Sequence, residues 1–66
     1  MVSKNQAIEM WNREIKSLKG QIKYSEQQIR KKPAKWEIKE FKMVIADAKK
    51  RISKAQNTIK KIRKLT

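Results

Sequence analysis

The spacing of apolar residues on either side of a single proline constrains this chain more than any other feature. Ile8, Trp11, Ile15, Leu18, Ile22 and Ile29 recur at alternating intervals of three and four, and Ser25 fills the one slot left over. This is the heptad period, which lays one apolar stripe along a helix. Beyond Pro33 the pattern resumes as Ala34, Ile38, Phe41, Ile45, Ala48, Ile52, Ala55, Ile59 and Ile62 with no slot missed. Each stretch predicts an amphipathic helix. One glycine and one proline leave little material for the many turns of a β fold.

The boundaries follow from local chemistry. Ser3 and Gln6 make a capping box, so the first helix should begin near Lys4. Pro33 suits a first helical turn, where its missing N–H costs nothing, and it disfavours helical geometry at Lys32. Helix one is therefore expected over about 4–30, the turn over about 31–33 and helix two over about 33–64. Lys60, Lys61, Arg63 and Lys64 then sit at the negative end of the second helix dipole.

So short a link makes the helices antiparallel neighbours. A tight turn would set Ile29 opposite Ala34, and the same register would pair Ser25 with Ile38, Ile22 with Phe41, Leu18 with Ile45, Ile15 with Ala48, Trp11 with Ile52 and Ile8 with Ala55. Trp11 would then be core, its indole accommodated between Ala48 and Ala55. The rival register is one heptad looser and needs a longer loop. The expected fold is all-α: an antiparallel two-helix coiled-coil hairpin, one domain over residues 1–66. A seam shielded by a single facing helix leaves much of each isoleucine wet, so the hairpin is expected to dimerise into a four-helix bundle.

Nineteen Lys and Arg face six Asp and Glu, a net charge of +13. Such a field attracts polyanions, with nucleic acid the first class to consider. No cysteine and no histidine are present, which removes disulfides, thiolate metal sites and imidazole catalysis. No apolar run approaches the roughly 20 residues that span a bilayer, and Met1, Val2, Ser3 and Lys4 lead into no secretory core. The chain is expected to be soluble and cytoplasmic, with no membrane partner.

Heptad labelling sorts the charges. With Ile8, Ile22 and Ile38 at position a, the e and b positions of both helices share one edge. That edge carries Lys16, Lys19, Lys23, Arg30, Lys35, Lys39, Lys42, Lys49, Lys60 and Arg63 against only Glu9 and Glu26. The g and c edge carries Lys31, Arg51, Lys54 and Lys61 against Glu14, Glu37, Glu40 and Asp47, together with Met10, Tyr24, Val44 and Leu65. A solvated lysine face is common on soluble helices. It usually mixes signs, however, whereas residues 48–66 hold eight positive side chains and no acid.

No catalytic constellation appears. Glu37, Glu40 and Asp47 share an edge, yet each has a lysine or arginine within four residues, so surface ion pairing explains them. No glycine-rich phosphate loop is present, and no cofactor or metal is expected. The basic stretch Arg30 to Lys35 resembles a targeting or phosphate-gripping patch, but such patches arise easily in lysine-rich chains.

Trp36 and Met43 fall on the outer f positions, with Val44 beside them. Clustered surface apolars usually mark contacts, so Met10, Tyr24, Trp36, Met43 and Val44 are the expected protein interface. The blander alternative is that Trp36 folds over the turn and closes the core. Gly20 at an outward f position costs about 1 kcal/mol against alanine, and either permits a close approach or bend or is tolerated.

The function expected from these residues is non-catalytic nucleic-acid binding through the phosphate backbone of DNA or RNA, by the ten edge residues and with little sequence reading. Lysine outnumbers arginine, which suits point-charge phosphate contact better than bidentate base readout. Two alternatives stand beside it. One is a basic adaptor or inhibitor that docks on an acidic or nucleic-acid-handling protein; the other is a structural component of a ribonucleoprotein assembly.

Overall fold

The computed structural model describes residues 3–65; the expectations for Met1 and Val2 lie outside the described residues. Two helices, α1 (Lys4–Arg30) and α2 (Lys35–Lys64), form a helical hairpin 50 × 15 × 14 Å in extent.

α1 starts at a completed capping box. The Gln6 N–H donates to Ser3 Oγ at 3.1 Å, and the Ser3 N–H donates to Gln6 Oε1 at 3.1 Å, so two otherwise orphaned donors are satisfied. The helix closes with Lys31 N–H on Gln28 O (3.2 Å) and Lys32 N–H on Ile29 O (3.1 Å). Lys32 adopts φ 55, the left-handed conformation that ends many helices and that glycine accepts most cheaply.

α2 begins two residues later than Pro33 suggested. Proline lies in the turn rather than in the first helical turn, and Ala34 is the N-cap with an extended ψ of 151 and no side-chain hydrogen bond. Only backbone closes this end, through Ile38 N–H on Ala34 O at 3.1 Å. Alanine has no side-chain oxygen to accept from the free N–H groups, so this start is weaker than that of α1.

The later start moves the register. Ala34, expected opposite Ile29, is exposed. Ile15, expected opposite Ala48, clusters instead with Ala55 and Ile59, with Ile8 and Ile52 packed against that group. The helices therefore pack in a looser register than the tight turn predicts. At the open end, Lys4 Nζ donates to Arg63 O at 3.0 Å and to Leu65 O at 2.6 Å. A cation from the start of α1 thereby satisfies one carbonyl of the last turn of α2 and the carbonyl of its C-cap, Leu65.

The core is thin. Ile15, Leu18, Ala48, Ala55 and Ile59 are buried, and Ser25 is the one buried polar side chain among the described residues. Ile22, Ile29, Ile38, Phe41, Ile45 and Ile62 are only half-buried, because a single facing helix covers one side of each. Trp11 corrects the expectation most clearly. It is 37% exposed, while Ala55 is fully covered. An indole is too large for one seam layer, and it spills onto the edge that carries Met10.

Candidate nucleic-acid interface

All ten edge residues, Lys16, Lys19, Lys23, Arg30, Lys35, Lys39, Lys42, Lys49, Lys60 and Arg63, are exposed. Helical position places them on one edge, but the hairpin distributes them unevenly along it. Lys19, Lys23 and Arg30 lie in the second half of α1, with Lys16 just before its midpoint, and that half is folded against the first half of α2 with Lys35, Lys39, Lys42 and Lys49. Lys60 and Arg63 stand apart near the open end, with Ser53 and Gln56 between them and the rest.

Lys35, Lys39 and Lys42 share one surface feature. With Ile38, Met43 and Ala46 they border a shallow depression. Lysine stems can cover apolar surface while their ammonium groups stay in water, and all three lysines are exposed. Among the described residues the only ion pair is Arg51 with Asp47, at 3.0 Å on the other edge. None of the ten edge cations is paired among the described residues, and Glu9 and Glu26 neutralise none of them by direct contact. Like charges at this density repel, and an anion laid along them lowers the energy of the whole edge.

The five expected interface residues do not form one patch. Met43 belongs to the lysine depression. Trp36 is 65% exposed and therefore does not close the turn end over the core. Met10, Tyr24 and Val44 lie on the g and c edge, where they border two open grooves. One groove, of about 680 Å³, lies between Ala7, Met10, Trp11, Leu18 and Arg51. The other, of about 480 Å³, lies between Ser17, Gly20, Tyr24, Phe41 and Val44. Trp11 is the groove residue that sequence reasoning missed, since its seam position argued for burial. Gly20 makes no close approach within the chain: a Cβ there would meet open space.

Chemistry other than charge is sparse. No group of three metal-ligating side chains occurs among the described residues, and no helix among them is long and apolar enough to cross a membrane. Compared with known proteins, the chain matches no family model, no curated protein and no solved structure.

Proposed function

We propose that this chain is a non-catalytic nucleic-acid-binding protein whose basic edge lies along the phosphate backbone of DNA or RNA with little sequence specificity. One observation carries the reading: the ten cations that the heptad period assigns to one edge are all exposed, and none has an ion-pair partner among the described residues. A phosphate strand supplies negative charge at regular intervals and releases counterions when lysines neutralise it. Within this reading the hairpin packs as an antiparallel coiled coil and acts in the cytoplasm. The lysine edge faces the polymer, and the g and c edge faces protein, including a second hairpin in a four-helix bundle.

The test is a gel shift with random duplex and random single strands across salt concentrations. Affinity should fall steeply with salt and vary little with sequence. Replacing Lys35, Lys39 and Lys42 together by alanine should weaken binding roughly ten- to a hundredfold on every sequence, and should flatten the salt slope by about one unit for each phosphate no longer neutralised. No shift at low salt would overturn the reading.

That result would favour the adaptor reading, which a specific observation supports. Trp36 and Met43 are 65% and 64% exposed beside the lysines, and an aromatic anchor flanked by cations suits an acidic protein surface.

A further inference from the structure

The edge opposite the lysines is neutral in total, but its charges are ordered along its length. On α2 the acids Glu37, Glu40 and Asp47 occupy the half toward the turn, and the bases Arg51, Lys54 and Lys61 occupy the half toward the open end. The two runs meet at the Asp47–Arg51 ion pair, 3.0 Å long. The same edge adds Lys31, the C-cap of α1, at the turn and Glu14 of α1 in the open half, which leaves the turn half net negative and the open half net positive.

Such an edge is complementary to its own reversal. A two-fold axis crossing the edge near Asp47 and Arg51 lays the negative half of one copy on the positive half of another, twice over. Glu37 then meets Lys61, Asp47 meets Arg51, and Val44 meets the aliphatic stem of Lys54. Along α1 the same axis passes close to Ser17 and sets Met10 opposite Tyr24. These two side chains are 62% and 59% exposed and border different grooves of the same edge, so the groove of one copy receives the ridge of the other. Gly20 adds no bulk near the crossing point, since a side chain there would stand in open space. If both turns lay at the same end, negative half would face negative half and positive half would face positive half.

We infer that a second copy of this chain docks on the g and c edge with its turn pointing the opposite way. The inference rests on the reading of that edge as the protein-contact side, and it names the occupant and its direction. The area is sufficient: a face 50 Å long and 15 Å wide offers about 750 Å² per copy, close to the roughly 800 Å² per partner of standard interfaces. Docking also covers Trp11, Tyr24 and Val44, which the single hairpin leaves wet. The lysine edges of the two copies then face outward on opposite sides.

The chain has no cysteine, so single introduced thiols report the geometry directly. Ser17→Cys should give a covalent dimer by itself under mild oxidation. Met10→Cys and Tyr24→Cys should each form little covalent dimer alone and should cross-link when mixed. Sedimentation of the unaltered protein, in moderate salt and without nucleic acid, should show a dimer at micromolar concentration. Glu37→Lys should weaken it about five- to tenfold, and Lys61→Glu added to that variant should restore it. A monomer at tens of micromolar, or Met10→Cys pairing with itself as readily as with Tyr24→Cys, would overturn the inference. None of these changes touches the lysine edge. A failed dimer with an intact gel shift therefore removes the docking alone, and a failed gel shift with an intact dimer removes the polyanion reading alone.

Discussion

Toward the open end of the hairpin, Ile15, Ala55 and Ile59 are buried, Ile8 and Ile52 pack against them, and Lys4 ties the last carbonyls of α2. Toward the turn the construction loosens. Beyond Leu18 and Ala48 the one buried residue among those described is Ser25, and Ile22, Ile29, Ile38, Phe41 and Ile45 are half-buried. There too Lys32 sits at φ 55 and Ala34 starts a helix with no side-chain cap. Lys19, Lys23, Arg30, Lys35, Lys39 and Lys42 all lie in this looser half. Repulsion is thus placed where packing is weakest, and an anion bound there has the most to stabilise.

The largest expected effect separates the halves outright. Ile15→Ala should cost about 2–4 kcal/mol in a urea melt, and Ile29→Ala half of that or less, because the cost follows how completely the deleted methyl groups were buried. Equal losses would end the distinction. Ala34→Asp should raise stability by about 1 kcal/mol by supplying the missing acceptor at the start of α2. The same change introduced at a well-capped start should gain nothing. Lys32→Gly should gain about 0.5–1 kcal/mol, since glycine takes the left-handed conformation freely. At the open end, Lys4→Met should lose less than about 1 kcal/mol, and in hydrogen exchange the loss should be confined to amides of the last turn of α2. Adding an oligonucleotide should slow exchange around the turn more than at the open end.

Much of this is legible in the residues. A capping box spans four positions, and a heptad stripe repeats within each helix, so the start of α1 and the identity of the buried face need only local information. The register is not legible in the same way. Sliding one helix along the other still sets an apolar residue opposite each seam position, and the choice falls to the backbone at Pro33 and Ala34, where proline and an extended alanine delay α2 until Lys35. Trp11 escapes sequence reasoning for a related cause: its position in the period argues for burial, whereas its size against a single facing helix decides its exposure. The exposure of the ten cations follows from the period alone. Their crowding toward the turn becomes visible once the chain is folded back on itself.

The two tryptophans occupy unlike sites, Trp36 at 65% exposure beside the lysine-rich end and Trp11 at 37% in a groove on the other edge. Indole emission responds to the wetness of the ring, so the chain carries two intrinsic optical gauges. Replacing either by phenylalanine leaves a single emitter, one sensitive to what settles around the turn and the other to what covers the opposite flank, and the two events can be followed separately in an unlabelled sample.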